Sequence, residues 1–179
     1  VISNINYEDT INIVRSNVEI KNSVFKDGLS DCFDGDFITG IIQDSLFMNC
    51  GNDGLDISGS NITIKNIKAE NLADKGISVG EKSYASIINV EIDKAYIGIT
   101  AKDLSEAKID GLKVTNAKYG LAGYMKKTEY GGAKIDAENT EIEAENDYII
   151  EKGSFLQLNG KIILDNKEEV FKKLYPEET

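Results

Sequence analysis

The stretch "GLDISGSNITIKNIKAENLADKGISV", residues 54–79, contains a full period of the repeat that decides the fold. It opens with the triplet Leu55-Asp56-Ile57, and an equivalent triplet, Ile77-Ser78-Val79, returns 22 residues later. An apolar–polar–apolar alternation is typical of a β-strand with one buried face. The glycine before each triplet keeps the same spacing over four units: Gly54, Gly76, Gly98 and Gly120. The repeat predicts stacked units of one supersecondary structure.

Two further short strands follow the triplet in each unit. Between Gly54 and Gly76 their inward residues are Ile62 with Ile64 and then Ile67 with Ala69. Three strands per unit make one rung of a triangular coil, whose rungs stack in parallel about 4.8 Å apart. We therefore predict a parallel β-helix, in which the fourth unit slips by about one residue.

Asparagine and aspartate recur at two corners of the predicted rungs. These residues tolerate tight backbone turns and can form hydrogen bonds with one another up a stack. We predict one side-chain ladder at each corner, formed by Asn22, Asp44, Asn66 and Asn89 and by Asp27, Asn49, Asn71 and Asn116.

The repeat loosens from about Gly120. We predict an extended corner loop at 124–133 and further strands at 148–150 and 155–163. The first rung has no evident cover, so we expect an additional N-terminal domain or a partner there.

The last residues change period and predict a helix. Asn166 followed by Glu169 suits a helix start, and Pro176 ends it. The apolar side comprises Val170, Phe171, Leu174 and Tyr175. We predict a β-helix domain over 1–164 and a capping helix and tail over 165–179, which covers the strand edge of the last rung.

Composition excludes several functions. The net charge of −11 argues against nucleic-acid binding, which depends on basic groups. No apolar run reaches the length of a membrane span, so we expect no membrane insertion. The chain has no histidine, which excludes imidazole metal ligands and Ser–His nucleophile pairs. We expect Cys32 and Cys50 to be two buried thiols, with a disulfide as the alternative.

The rung pattern and its asparagine corners, over about residues 10–163, resemble the pectin-lyase-like superfamily of right-handed parallel β-helices. The resemblance implies an all-β, right-handed single-stranded solenoid with a short C-terminal helical cap. It also implies a secreted or surface-exposed protein. The superfamily includes polysaccharide lyases, hydrolases, epimerases, phage tailspikes and adhesins, so it does not by itself select a function.

One segment is similar to the first catalytic block of the polygalacturonases. "GNDGLDISGSNITIKN", residues 51–66, places Asp53 at the aspartate of that block. The next rung retains Asp74 but has Lys75 where the family has a second aspartate. The histidine and the Arg-Ile-Lys motif of the family are missing, so we do not expect hydrolysis by that mechanism.

Acidic residues cluster around the same corner. Asp34 and Asp56 should both point outward on adjacent rungs, about 4.8 Å apart. Because carboxylate oxygens are the ligands that Ca²⁺ prefers, we predict a calcium site formed by Asp34, Asp36, Asp53 and Asp56. A solvated acidic patch is the alternative. Lys75 and Lys82 are the nearby candidate bases for a lyase, without a supporting motif.

Four tyrosines lie near one corner or in the extended loop and could stack on sugar rings, although packing is the alternative: Tyr96, Tyr119, Tyr124 and Tyr130. We predict a noncatalytic domain of a secreted or cell-surface bacterial protein that binds a polysaccharide or surface glycan or has a structural role. The alternative function is a calcium-assisted polysaccharide lyase or related carbohydrate-active enzyme.

Overall fold

The computed structural model describes residues 1–3, 8–164 and 167–178, which form a parallel β-helix. The predicted triplets make one sheet along the coil. Asp34 pairs with Asp56, and Ile57 pairs with Val79, so the register follows the 22-residue repeat. The strands of this sheet, which we call the first sheet, are β2 (Asn12–Val14), β5 (Phe33–Asp36), β7 (Leu55–Ser58), β9 (Lys75–Gly80) and β11 (Ile97–Lys102).

The second and third strands of most rungs run together as one bent strand. The bend is a single residue in left-handed backbone, such as Asn66 with φ 51° and Asn89 with φ 52°. Asparagine adopts this conformation more readily than most residues. The strands outside the first sheet are β1 (Ile2–Ser3), β3 (Asn17–Lys21), β4 (Val24–Gly28), β6 (Thr39–Cys50), β8 (Asn61–Leu72) and β10 (Tyr84–Asp93).

Hydrogen bonds between rungs confirm three of the four predicted members of each corner ladder. At the first corner, Asn66 Nδ2 donates to Asp44 Oδ1 at 2.7 Å, and Asn89 Nδ2 donates to Asn66 Oδ1 at 3.3 Å. At the second, Asn49 Nδ2 donates to Asp27 Oδ1 and Asn71 Nδ2 donates to Asn49 Oδ1, both at 2.8 Å.

Each ladder is interrupted where another residue occupies the left-handed position. Gly111 takes that position at the first corner and Lys94 at the second. The Lys94 interruption is followed by Asn116, which donates to Asp93 Oδ1 instead.

The core lies inside the coil, where equivalent side chains stack from rung to rung. The rings of Phe25 and Phe47 stack with centroids 4.8 Å apart, which matches the distance between rungs. Ile62 pairs with Ala85, a step of one residue more than the repeat, so the predicted slip in the fourth unit is confirmed.

The expectation of two buried thiols is wrong, because Cys32 and Cys50 form a disulfide. Their sequence separation of 18 residues hides their proximity. Cys32 precedes β5 and Cys50 ends β6, so the chain between them makes most of one rung and returns to its starting corner. The two Cα atoms are 5.5 Å apart, within the range that a disulfide requires.

The C-terminal rungs contain the longest strands. β12 (Glu106–Tyr124) and β13 (Lys134–Ile150) pass through all three sides, so their last residues continue the first sheet. The predicted loop lies between them. β14 (Phe155–Leu158) pairs in parallel with β13 on one edge. On its other edge it pairs in antiparallel fashion with β15 (Lys161–Ile163), which covers that edge.

The predicted C-terminal helix is present as α1 (Val170–Leu174), followed by a 3-10 helix at Pro176–Glu178. Asn166, the predicted start, lies outside the described residues. The apolar side of α1 packs on the outer face of the first sheet, not over the last rung as predicted. The reason is that outward positions become apolar there, at Ile97, Ala122 and Ile149. No helix among the described residues is long and apolar enough to span a membrane.

Removal of the disulfide tests its contribution to the coil. We expect Cys32→Ala together with Cys50→Ala to lower the free energy of unfolding by about 3 kcal/mol, because the crosslink restricts the unfolded chain. Urea unfolding with and without reductant measures the effect. Reductant should destabilise the parent protein and leave the double variant unchanged. Equal unfolding midpoints for the parent and the variant would contradict the expectation.

Candidate functional site

The outer face of the first sheet carries the predicted carboxylates. Register places five outward polar residues in one column along the coil: Asn12, Asp34, Asp56, Ser78 and Thr100. The column continues as Ala122 and Ile149, which lie under α1 or beside it. The face is therefore acidic on its first rungs and apolar on its last.

Asp34 is the most crowded carboxyl of this face. Asn12 Nδ2 donates a hydrogen bond to Asp34 Oδ2. Burial, followed by the negative charges of Asp36 and Asp56, raises the pKa of Asp34 to about 7. Burial, Glu81 and Asp56 also raise the pKa of Asp36. Asp34 can therefore exchange a proton near neutral pH.

Asp31 lies at the neighbouring corner and is anchored by the backbone of the next rung. Its Oδ1 accepts hydrogen bonds from Asp53 N and Asn52 Nδ2, both at 2.8 Å. Burial raises its pKa to about 6, against the effect of the Asp53 N–H. Its first role is thus to hold the turn.

Asp53 is separated by its burial from Asp34, Asp36 and Asp56, which we call the open acidic cluster. Its side chain is 1% exposed, and its Oδ1 accepts hydrogen bonds from Lys75 N at 2.9 Å and Lys75 Nζ at 3.3 Å. Burial raises the pKa of Asp53, and the ammonium of Lys75 partly offsets the rise. Lys75 also pairs with Asp74 and lies 5.2 Å from the ring centroid of Tyr175.

A second buried lysine reaches back across the same face. Lys102 lies on the second rung after that of Asp56, and its Nζ is 3.8 Å from Asp56 Oδ1. Burial alone would lower the pKa of Lys102, but Asp56, Tyr124 and Asp53 together outweigh it, so the pKa is raised. Ser78 Oγ and Thr100 Oγ1 are buried in the column and have no hydrogen-bond partner among the described residues. We call the set Asp53, Asp56, Lys75 and Lys102 the acid–lysine cluster.

The four predicted calcium ligands do not converge on one point. Asp34, Asp36 and Asp56 share the face, whereas Asp53 is directed to Lys75. Over residues 1–3, 8–164 and 167–178, no three acidic or cysteine side chains form a group that could hold a metal ion. What the face can do with its own residues is to hold protons and to pair carboxylates with lysines.

The predicted sugar-stacking tyrosines have different environments. Tyr96 and Tyr119 pack edge to face at 6.1 Å in the apolar cluster under α1, and Tyr96 OH donates to Leu174 O. Tyr124 is 1% exposed and stacks against Phe171 of α1. Tyr130 lies apart in the loop, with Lys82 Nζ 5.4 Å from its ring centroid. The structure thus brings three of the four together, beneath the helix.

A further concavity lies elsewhere, at the first ladder corner, and we call it the corner groove. Its volume is about 900 Å³, and none of its lining residues belongs to the first sheet. One wall is the corner itself: Asn66, Asn89, Gly111, Asn139 and Asn159. The other wall is an exposed charged column: Lys68, Glu91, Lys113 and Glu141. The groove follows the axis of the coil over several rungs.

Sequence reasoning missed Lys102, Glu151 and the corner groove. Glu151 accepts hydrogen bonds from Met125 N and Val170 N, so it holds both the loop and α1. Lys102 pairs with Asp56 across two rungs, a distance that repeat spacing could have suggested. The groove had a signal in the alternating charges that follow each corner residue.

Protonation of Asp34 makes stability depend on pH. The folded pKa of about 7 lies above the ordinary value near 4, so the folded protein holds the proton more tightly than the unfolded chain. This contribution is complete below about pH 4 and is lost as the pH rises through about 7.

We therefore expect Asp34→Asn to become progressively more stable than the parent between pH 4 and pH 7, with no further gain above pH 8. Urea unfolding over that range measures the difference. Asp147→Asn, at an exposed position of β13, is the matched control and should show a flat difference. A flat difference for Asp34→Asn as well would contradict the assignment.

Comparison with known proteins agrees with this architecture. Residues 9–167 match the protein family described as the right-handed β-helix region. Searches of curated proteins and of solved structures give no significant match. The matched residues include all strands from β2 to β15, so the predicted right-handed coil is confirmed and is consistent with the pectin-lyase-like superfamily. The chain belongs to the family of the right-handed β-helix region.

Proposed function

We propose that this chain is a noncatalytic β-helix domain of a secreted or cell-surface protein and that it binds carbohydrate. One observation carries the proposal: the large concavity and the acid–lysine cluster occupy different surfaces. An enzyme needs its proton-transfer groups beside the space that receives the substrate. The corner groove offers the space, but none of the acid–lysine cluster lines it, and its exposed lysines pair with the glutamates of the same wall.

The burial of the lysines supports a noncatalytic role. Lys75 and Lys102 are 6% and 8% exposed, and each is paired with a carboxylate. A lyase base must reach the proton beside a uronate carboxyl and must be able to lose its own proton. Carboxylate pairing holds both lysines in the charged form, because it raises their pKa values.

The disulfide supports a secreted or cell-surface location. Disulfides persist in oxidising compartments and are rare in the cytosol of most organisms. The Cys32–Cys50 bond is enclosed in the core, with both residues almost fully buried. A structural crosslink of this kind fits a rigid binding domain outside the cell.

The open acidic cluster favours a second candidate, a calcium-assisted polysaccharide lyase. Asp34, Asp36 and Asp56 repel one another, and a bound cation would relieve that repulsion. Calcium could also bridge the acidic face to a uronate polymer. The candidate is weaker because the nearby bases are buried.

Two measurements separate the candidates. With millimolar calcium and uronate polymers, we expect the parent protein to release no unsaturated product, while a glycan array shows binding to at least one polysaccharide. The double variant Asp34→Asn, Asp56→Asn should keep the array signal. Product formed by the parent and lost in that variant would establish the lyase, and an array without any signal would remove carbohydrate binding.

A further inference from the structure

We infer that the corner groove binds an uncharged, linear glycan along the axis of the coil. This inference rests on the proposed carbohydrate binding and specifies its site and ligand class. It moves the binding surface away from the tyrosines, three of which are packed under α1.

The shape of the groove favours an extended ligand. Its floor is the backbone at the positions that follow each corner residue: Ile67, Val90, Leu112 and Thr140. The side chains of the first three are buried in the core. These positions pair in register from β8 to β13. From Asn66 to Asn159 the wall crosses four rung steps of about 4.8 Å each, so the groove is about 19 Å long. A chain of several sugars can lie in it with every sugar near a similar set of side chains.

The charge pattern of the groove favours an uncharged ligand. Lysine and glutamate alternate along one wall, and they pair as Lys68–Glu91 at 3.1 Å and Lys113–Glu141 at 3.8 Å. The wall has equal numbers of positive and negative groups, and Glu138 adds a negative group elsewhere in the groove, so the groove offers no net attraction to a polyanion. The aliphatic stems of the two lysines present apolar surface to the C–H faces of sugars.

The amide wall supplies a hydrogen-bonding position at the interruption of the ladder. In a continuous ladder Asn89 Oδ1 would accept a hydrogen bond from the next asparagine, but the next corner residue is Gly111. Asn89 Oδ1 accepts no hydrogen bond from the described residues, and an added Cβ at Gly111 would lie 2.8 Å from it. A glycan hydroxyl in the groove can donate to this oxygen.

Gly111→Asn tests the inference, although the Asn89 side chain must shift to admit it, because the added Cβ would lie 2.8 Å from Asn89 Oδ1. Gly111 has φ 81°, and asparagine occupies the equivalent left-handed position on neighbouring rungs. Once Asn89 has shifted, the new side-chain amide can donate to Asn89 Oδ1, as Asn89 Nδ2 donates to Asn66 Oδ1, and it then competes with a glycan hydroxyl for that oxygen. We expect the dissociation constant of the glycan to rise about tenfold, which corresponds to the loss of one hydrogen bond. Thermal unfolding checks that the variant remains folded at the temperature of the titration.

Lys94→Asn is the matched control, because it completes the other ladder and lies outside the groove. Its affinity for the glycan should equal that of the parent. The probes are oligosaccharides of cellulose, xylan and mannan, with oligogalacturonate as the charged comparison. Titration calorimetry at low and high salt measures all three proteins.

The expected result is binding of at least one uncharged probe, weakened by Gly111→Asn only and insensitive to salt. Binding that prefers oligogalacturonate or that Gly111→Asn leaves unchanged would overturn the groove inference, while carbohydrate binding itself would stand. Failure of every oligosaccharide to bind, together with a silent glycan array, would overturn both.

Discussion

Parallel stacking of rungs in register is the constraint on which the rest of the structure depends. Once each strand lies about 4.8 Å above its predecessor, residues one repeat apart become neighbours, whatever their chemistry. Inside the coil this builds columns such as Phe25 on Phe47. Outside the coil it builds columns of polar groups, in which side chains of like charge or polarity become direct neighbours. The outer surface therefore has as many distinct environments as the rung has outward positions.

Like charges in one column are unfavourable, and the chain resolves the problem differently on two surfaces. Asp34 lies beside Asp56 in the first sheet. Burial and the nearby carboxylates raise the pKa of Asp34, and Lys102 pairs with Asp56 from two rungs away. Along the corner groove the column alternates in sign instead, so that Lys68 meets Glu91 directly. The first solution stores charge inside the protein, and the second leaves a neutral wall in contact with solvent.

Most of the fold could be predicted from the sequence, because periodicity reports the register directly: the glycine spacing, the slip of the fourth unit and both ladders were visible in it. The features that were missed or wrongly predicted depend on contacts made where a rung closes, or on contacts between residues of different rungs and elements. The Cys32–Cys50 pair looked distant because its separation is almost one full rung. The acid–lysine cluster needs Lys102, which lies two repeats from Asp56. The position of α1 depends on outward residues turning apolar at Ala122 and Ile149.

Breaks in a column carry more functional information than the column itself. A continuous asparagine ladder satisfies its own amides and has little left to offer a ligand, whereas an interruption leaves one oxygen without a donor. Gly111 and Lys94 interrupt the two ladders in different ways. Lysine places a long side chain at its corner, whereas glycine leaves Asn89 Oδ1 without a donor beside the corner groove. In a solenoid, the repeat places similar residues at equivalent positions of each rung. An acceptor left without a donor beside the corner groove is a feature that rung stacking alone does not require.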